Sequence, residues 1–489
     1  MTLWPKRPII YEINTRVWLN ELTRKHQRPI ELSCVPAGEW DAIASWGFDA
    51  VWLMGVWERS LIGQHIARTT QGYLDDYRRA LPDYTLDDVA GSPYCVHRYV
   101  VDDHFGGTRG LAAARSELAQ RGLKLLLDFV PNHVAPDHPW VIEHPEYFVQ
   151  GSRDDLSRAP NDYFDTYGGH ILARGRDPYF LPWPDVAQLN AFNPALRSAA
   201  IDTLNVIADQ CDGVRCDMAM LMLNDVFDRT WSNRAGTRPN VEYWREVIPA
   251  VRGPHPDFLF MAEAYWDMEY TLQQHGFDYC YDKRLYDRLE KETASSVRLH
   301  LLADLSYQDK LVRFIENHDE PRAAKAFGPK TRAAALTFAA LPGAKLFHDG
   351  QLQGRQVKLP VLLGRRPDEP IDLELQTFYR RLLKAINSPA VREGEWQTCD
   401  RTGWRDNPSH TNIVAWSWRK ENERCLIVVN LSENKAQAHV RVPWDDLVGH
   451  TWRMTDALSG ETFERSGDEM RGPGLYVDLP PWGFHFLKF

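Results

Sequence analysis

Long apolar runs are missing from this 489-residue sequence, in which no stretch approaches the roughly 18 apolar residues that a membrane-spanning helix needs. A leader is not visible either. No apolar segment follows Lys6 and Arg7, and residues 8–11 already predict a strand. These absences argue against a membrane protein and predict that the protein works in the cytoplasm.

Positive charge is also scarce. The 57 Lys and Arg residues are outnumbered by 67 Asp and Glu residues, which gives a formal net charge of −10. Proteins that bind nucleic acid need a basic face to displace counterions from the phosphate backbone. We therefore expect no nucleic-acid partner, and a neutral or polyhydroxyl substrate fits better.

Cysteine is sparse, and its seven copies show neither metal-type pair spacing nor a dense disulfide framework. Low-complexity segments are missing as well. Hydrophobic residues make up 44% of the chain and charged residues 25%, as in ordinary folded proteins. We expect a folded protein with buried free thiols, at Cys34, Cys95, Cys211, Cys216, Cys280, Cys399 and Cys425.

What the sequence does have is a series of short apolar runs that alternate with amphipathic helix patterns, as in a parallel sheet built from βα units. Eight such runs occur, and eight strands close a (β/α)8 TIM barrel. The predicted strands are 9–14, 50–55, 124–130, 213–218, 257–264, 277–281, 312–317 and 345–349. The predicted outer helices include 110–120, 194–209, 241–251, 330–340 and 373–386.

Two connections are longer than a barrel needs, at residues 56–107 and 134–190. Long loops in compact domains are usually functional, and both would leave the C-terminal face, where barrel enzymes carry their active sites. We predict a small inserted subdomain at 134–190 within a catalytic barrel over 1–387. Alternating strands then begin, at 411–418, 423–430, 438–442 and 474–479, and they predict an antiparallel β-sandwich over 388–489.

Polar residues follow several of the predicted barrel strands at their carboxyl ends. A single Asp in such a place usually caps a helix or stays solvated. Asp217 and Glu263, however, end neighbouring strands and should face each other, and retaining glycosidases need two carboxyls about 5 Å apart. Arg215 lies on the same strand face as Asp217, where an opposite charge would keep that carboxylate ionised.

At these positions the sequence resembles the α-amylase family, glycoside hydrolase family 13. The matching segments follow the family's order over nearly the whole chain. They are Asp128-Phe129-Val130-Pro131-Asn132-His133, Gly213-Val214-Arg215-Cys216-Asp217, Met261-Ala262-Glu263 and Glu316-Asn317-His318-Asp319. A fifth, Gly91-Ser92-Pro93-Tyr94 continuing to Gly107, looks like the family's loop after strand two.

The resemblance implies a role for each of these residues. Asp217 would be the nucleophile, Glu263 the general acid/base, and Asp319 the third carboxylate, which binds sugar hydroxyls in the transition state. Tyr94 would stack on the reacting sugar. The same subsite would be lined by His133, Arg215, His318 and Asp128.

Three departures bear on specificity. Met220 and Leu221 stand where many starch-degrading members have a Lys-His pair that holds the leaving end of the glucan, so a long-starch endo-amylase is disfavoured. Asn132 matches a position that binds structural Ca²⁺ in many members, but the 134–190 region shows no partner ligands. We therefore predict that no cofactor is required, and whether a structural Ca²⁺ binds stays open. Trp266 would either stack a leaving group or pack the barrel rim.

These observations predict a retaining α-glycosidase that acts on short α-linked glucosides or malto-oligosaccharides. One alternative is a transglycosylase of the same family, because transfer uses the same residues and differs only in acceptor binding and water exclusion. A second is a non-catalytic carbohydrate-binding relative, since a fold alone does not imply chemistry. The complete carboxylate set argues against that second alternative.

Overall fold

The computed structural model describes residues 4–166 and 168–489. Eight parallel strands close into a barrel in which each strand pairs with the next in sequence and the last pairs with the first. These strands are β1 (Ile9–Asn14), β2 (Ala50–Met54), β3 (Lys124–Phe129), β4 (Gly213–Cys216), β5 (Leu259–Ala262), β6 (Tyr279–Tyr281), β7 (Leu311–Arg313) and β8 (Ala344–His348). The predicted barrel is confirmed.

Helices surround the barrel and cover its apolar strands, which are buried almost throughout. The main ones are α1 (Thr15–His26), α2 (Ala37–Ala44), α3 (Leu61–Thr69), α4 (Gln71–Ala80), α5 (Gly107–Gln120), α6 (Pro194–Ala208), α7 (Asn224–Trp231), α8 (Tyr243–Arg252), α9 (Glu269–Gln274), α10 (Lys283–Lys291), α11 (Ala294–His300), α12 (Thr331–Ala339) and α13 (Leu373–Ile386). Of these, α13 has the predicted bounds, and the other predicted helices differ by one to three residues at an end.

Both long connections leave the C-terminal end of the barrel. The first contains α3, α4 and a two-stranded ribbon formed by Trp57–Arg59 and Val96–Val101. The second has short antiparallel ribbons of its own and a separate apolar cluster that includes Val134, Phe148 and Leu172. This local core supports the predicted inserted subdomain at 134–190, whose bounds stay a proposal.

The C-terminal part is antiparallel, as predicted. One sheet has the order β9-β11-β12-β17-β14-β15 and the other the order β10-β13-β16, with an apolar core between them. Their strands are β9 (Glu395–Thr398), β10 (Arg401–Thr402), β11 (Ile413–Lys420), β12 (Glu423–Asn430), β13 (Ala436–Val440), β14 (Thr451–Asp456), β15 (Thr462–Ser466), β16 (Leu475–Leu479) and β17 (Phe484–Lys488). The domain boundary after residue 387 remains a proposal.

The two parts of the chain pack directly on each other. The indole nitrogens of Trp416 and Trp418 both donate to the carbonyl of Ala340, at 2.9 and 2.8 Å. Within the described part of the chain, no helix is long and apolar enough to cross a membrane. There, too, the seven cysteines are unpaired, and all but the half-buried Cys34 are buried.

Candidate active site

Strand pairing brings the polar strand ends together at one mouth of the barrel. In the register of β4, Arg215 lies opposite Asp128 of β3 and Met261 of β5. The backbone ladder continues beyond the strands, because Asp217 N donates to Phe129 O at 2.8 Å and Glu263 N donates to Cys216 O at 3.0 Å. These bonds place Asp217 and Glu263 side by side just beyond the ends of β4 and β5.

Arg215 joins the carboxylates. Its Nη1 lies 2.6 Å from Asp217 Oδ1, and its Nη2 lies 2.8 Å from Glu263 Oε1 and 3.9 Å from Asp319 Oδ2. The guanidinium is fully buried, and the ring of Tyr94 lies 5.2 Å from it. Although burial opposes its charge, Glu263 and Asp217 help to hold the pKa of Arg215 well above its ordinary value. One permanent cation therefore serves three acidic groups.

Glu263 is 3% exposed and accepts a hydrogen bond at each oxygen. Met218 N donates to Oε2 at 2.6 Å, and the Tyr265 hydroxyl donates to Oε1 at 3.1 Å. Burial raises the pKa of Glu263 to about 7; Arg215 opposes this rise, and Asp217 and Asp319 add to it. A carboxyl group with such a pKa can hold a proton at neutral pH and give it up during a reaction.

His318 lies between two acidic residues, Glu12 and Asp319. Its Nδ1 contacts Glu12 Oε1, while its Nε2 lies 3.0 Å from Asp319 Oδ2 and 2.7 Å from the Tyr94 hydroxyl. Burial disfavours the imidazolium, but Asp319 and Glu12 outweigh it and raise the pKa of His318 to about 10. Despite partial burial of its own, Asp319 has a pKa lowered by His318, Arg215 and Lys358, so its carboxylate stays ionised.

A family model described as "Alpha amylase, catalytic domain" matches residues 41–360, well over half of the chain. The chain belongs to the alpha-amylase family. The matched segment begins in α2 and ends after β8, so it contains Asp217, Glu263 and Asp319. The predicted family is thereby confirmed.

Two curated relatives align with most of this chain. Alpha-amylase MalA of Haloarcula japonica is 25% identical over 486 residues, which cover 95% of this chain and 60% of that protein. Alpha-1,4-glucan:maltose-1-phosphate maltosyltransferase 1 of Streptomyces coelicolor is 26% identical over 90% of this chain and 61% of its own length. The chain thus spans about three-fifths of the length of these two family members.

Among solved structures, the noncanonic maltogenic alpha-amylase AmyB of Thermotoga neapolitana superposes with a TM-score of 0.70, at 19% identity, over 99% of both chains. An alpha-amylase from Lactobacillus plantarum gives a TM-score of 0.67 at 18% identity, again over 99% of both chains. At such low identity these likenesses establish the shared fold of the family members and nothing about substrate.

Asp128 lies behind the mouth of this alpha-amylase-family barrel. Its Oδ1 accepts from Trp52 Nε1 at 3.1 Å and its Oδ2 accepts from Gly55 N at 2.7 Å, which ties β3 to β2. Burial raises its pKa to about 6. With 1% exposure and both oxygens engaged, Asp128 shapes the wall of the cleft, and its predicted contact with substrate stays a prediction.

His133 and Asn132 follow β3 and are buried. Burial lowers the pKa of His133, which favours a neutral ring. Asn132 Oδ1 accepts from Gln188 Nε2 at 2.9 Å, so its amide oxygen is already used. Among the described residues, no group of three His, Cys, Asp or Glu side chains is placed to hold a metal ion. These residues therefore supply no cluster of carboxylates around Asn132 of the kind that often holds Ca²⁺.

The two aromatic residues predicted to contact substrate, Tyr94 and Trp266, lie at different depths. Tyr94 stacks on His318 at 5.4 Å between ring centroids and lies over Arg215, so it belongs to the floor of the cleft. Trp266 lies farther out, in edge contact with Tyr179 at 4.9 Å. Trp266 and Asp267 both have positive φ angles, 60° and 61°, which bulky residues rarely adopt and which often occur at functional sites.

Sequence reasoning missed Glu12 and Lys358. Glu12 is fully buried in β1 beside His318, and the Lys358 ammonium contacts the backbone oxygen of Asp319. A charged residue inside the apolar run 9–13 was a signal that could have exposed Glu12, because buried charges need a partner. No comparable signal marks Lys358, which lies in a loop of mixed composition.

Proposed function

We propose that this protein is a retaining α-glycosidase of the alpha-amylase family that acts on short α-linked glucosides or malto-oligosaccharides. The observation that carries the proposal is the sharing of Arg215 by Asp217 and Glu263, at 2.6 and 2.8 Å. This arrangement brings two carboxyl groups to the same point, one of them protonatable near neutral pH, as double displacement requires.

In the first step Glu263 gives its proton to the glycosidic oxygen while Asp217 attacks the anomeric carbon, so that the bond to the leaving group breaks and an ester to Asp217 forms. In the second step Glu263 takes a proton from water, and that water displaces Asp217 with a second inversion. The pKa of about 7 suits Glu263 to both proton transfers near neutral pH.

Asp319 and His318 would bind the hydroxyl groups of the reacting sugar. Asp319 keeps a side chain that is 41% exposed to the cleft, while His318 is held by Glu12 from behind. A sugar bound between them and Tyr94 would be fixed by charged hydrogen bonds and by one aromatic face. Such contacts accelerate the reaction when they strengthen as positive charge develops on the sugar ring.

The surroundings of the leaving-group side support short substrates. Met220 and Leu221 are buried, at 0% and 2% exposure, so neither reaches a substrate chain. The rim near Trp266 is instead formed by an exposed aromatic and apolar segment, Tyr179, Phe180 and Leu181. This rim offers stacking surface for one or two sugar units, beside the charged side chains of Arg229 and Asp267.

The test is a substrate panel of malto- and isomalto-oligosaccharides, sucrose, trehalose and maltose, followed by chromatography. Proton NMR during early turnover should show the α anomer as the first-formed sugar, because two inversions restore the starting configuration. Appearance of the β anomer first would rule out the double displacement. Absence of turnover on every α-glucoside would favour a carbohydrate-binding protein.

A second candidate is transfer of the glycosyl group from Asp217 to a sugar or to phosphate. Two Streptomyces coelicolor relatives are named as maltosyltransferases, at 26% and 28% identity. The apolar rim at Trp266 also favours this candidate, because it would exclude water from the ester while it holds an acceptor. Products longer than the substrate, formed at high oligosaccharide concentration, would support transfer.

We also propose that the protein works in the cytoplasm. The support is indirect: seven unpaired cysteines, six of them buried, are typical of chains kept in a reducing compartment. Fractionation of the producing cells, with detection by an antibody against the protein, tests this location.

A further inference from the structure

Three arginines surround a junction in the fold that lies outside the carboxylate site. The junction joins the loop after α4 to the segment after β8: Val89 bridges Leu363, and Gly364 N donates to Asp88 O at 2.7 Å. We call Arg16, Arg59 and Arg68 the arginine cluster. Across the described residues, no member of this cluster forms an ion pair with a carboxylate, although many other arginines do.

Arg59 forms the floor of the arginine cluster and is 9% exposed. Its Nη1 donates to Gly91 O at 2.8 Å, but its Nε and Nη2 are buried without a hydrogen-bond partner. No other arginine in the described ranges has two buried nitrogens in this condition. Buried donors of a charged group are costly to leave unsatisfied, so their presence indicates a missing partner.

The other two arginines are half-buried and open the cluster to solvent. Arg68 Nε donates to Val89 O at 3.3 Å, and a methyl group added at Gly364 would lie 2.9 Å from Arg16 Nε. All three guanidinium groups thus border the same short junction. Burial and the neighbouring Arg68 lower the pKa of Arg16, while burial and Arg16 lower that of Arg59 to about 9.

The acids nearest to the arginine cluster already have partners. Asp102 Oδ1 accepts from His104 N at 2.9 Å and contacts His104 Nδ1 at 2.8 Å. Asp128 is held by Trp52 and Gly55, as described above. Asp102 and Asp128 both oppose the fall in the pKa of Arg59, but in the part of the chain that the structure describes neither forms an ion pair with the cluster, where three guanidinium groups outnumber these two carboxylates.

We propose that the arginine cluster binds a phosphate group. Guanidinium groups present forked donors that match phosphate oxygens, and a dianion would satisfy the free nitrogens of Arg59 together with Arg16 and Arg68. The group comes either from a phosphorylated sugar or from free inorganic phosphate. Gly91, which Arg59 contacts, precedes Tyr94 by three residues, a distance of at most about 10 Å along the chain. The arginine cluster is therefore close along the chain to the aromatic ring that we propose holds the sugar, which makes a phosphorylated sugar one source to test.

The primary experiment is calorimetric titration of the full-length protein with inorganic phosphate. The wild type should bind it saturably, and Arg16→Gln and Arg68→Gln should each weaken binding about tenfold or more, because each removes a charged hydrogen bond. Arg78→Gln is the matched control, since Arg78 is exposed on α4 and pairs with Asp75. It should bind phosphate like the wild type. Absence of saturable binding to the wild type, or unchanged binding to both cluster variants, overturns the proposal.

A second titration, with maltose and phosphorylated maltose, identifies the source of the phosphate. This part rests on the proposed function and uses Asp217→Asn to prevent turnover. Tighter binding of phosphorylated maltose than of either maltose or phosphate, with the gain lost in Asp217→Asn/Arg16→Gln, assigns the cluster to substrate. If inorganic phosphate binds but phosphorylated maltose binds no more tightly than phosphate or maltose, the arginine cluster is assigned to a free anion. Because the first titration needs no catalysis, failure of the proposed glycosidase activity leaves it interpretable.

Discussion

At the scale of single residues, the site is governed by a shortage of positive charge. Arg215 is the cation shared by Asp217, Glu263 and Asp319, and His318 supplies the second positive charge next to Asp319. Three carboxylates cannot all ionise cheaply beside one buried guanidinium. The pKa of Glu263 is raised to about 7, chiefly because Glu263 is buried, so we expect this carboxyl group to hold the proton.

Replacing Asp217 with Asn should abolish nearly all turnover, because the proposed nucleophile is lost while the side-chain volume is kept. Replacing Glu263 with Gln should slow natural substrates by roughly 10²–10⁴-fold but affect substrates with activated leaving groups much less, since those need little proton donation. Steady-state kinetics on maltotriose and on a nitrophenyl glucoside measure both effects. Near-normal turnover of maltotriose by either variant contradicts the assignment, provided that circular dichroism shows a folded protein.

The pKa of Glu263 also sets an expected pH dependence. The general acid must be protonated, so kcat/KM should fall as pH rises through about 7, the value at which Glu263 loses its proton. In Glu263→Gln, assayed on an activated substrate, this alkaline limb should disappear. An alkaline limb at the same pH in the variant would mean that another group controls it.

We propose that Glu12 is a positioning residue that acts through His318, which its carboxylate contacts. Glu12→Gln should lower the pKa of His318, raise KM and shift the pH profile of KM, while Glu12→Asp should restore part of the effect.

The raised pKa of His318 also stabilises the folded protein. This stabilisation is complete below pH 6.5, the ordinary pKa of His, and is lost as pH approaches about 10. The unfolding temperatures of the wild type and of Glu12→Gln should therefore differ at pH 6 and converge as the pH approaches 10. A constant difference across this range contradicts the role given to Glu12.

At the scale of elements, a tight turn fixes where β8 begins. Gly343 precedes β8 with φ at +86°, and a Cβ there would lie 2.3 Å from Leu311 O and 2.8 Å from Gln308 O. The chain must pass against the backbone of β7 at this point, which only glycine allows. The position of β8 relative to β7 and β1 depends on this turn.

Gly343→Ala should lower the free energy of unfolding by about 2–4 kcal/mol, because both the backbone angle and the close carbonyl oppose a methyl group. Gly122→Ala is the control. Gly122 has a similar φ of +75° but nothing within 4 Å of the added carbon, so it should lose only about 1 kcal/mol. Urea denaturation measures both. Equal losses would show that the contact with Leu311 contributes nothing.

At the scale of the whole molecule, the antiparallel part packs on the barrel away from the catalytic mouth. Trp416 and Trp418 reach Ala340, which lies before β8 and therefore at the opposite end from Glu263 and Asp217. Arg7, ahead of β1, lies over the Trp418 ring at 4.6 Å. The C-terminal sheets consequently stabilise the base of the barrel, while the two long connections shape the cleft.

The shape of the cleft predicts how activity depends on substrate length. Without polar groups at Met220 and Leu221, sugar units beyond the rim at Trp266 should add little binding energy to the transition state. Catalytic efficiency should therefore stop rising after a few glucose units. Measurement of kcat/KM from disaccharide to heptasaccharide and on soluble starch tests this. A continuing steep rise with length would mean that the long connections form a polymer cleft.

Much of this protein follows from its sequence. Local patterns determine secondary structure, and eight apolar runs separated by helices can close in few ways, so the barrel and the antiparallel C-terminal part were predictable. Because the strands of the barrel are parallel, the residues that follow them lie together at one mouth of the barrel. This is why Asp217 and Glu263 could be paired in advance. The strands β1 and β12 even have the predicted bounds.

Only the tertiary structure decided which charged side chains, distant in the sequence, contact each other. Glu12 and His318 are separated by 306 positions, and nothing local to either residue specifies their contact. The same holds for Arg16 against Gly364, and for the reach of Arg215 to Glu263 as well as to Asp217. Electrostatic pairing depends on distance and burial in space, which a periodic pattern along the chain does not encode. The sequence determined which residues reach the mouth of the barrel, and the packing determined their partners and protonation.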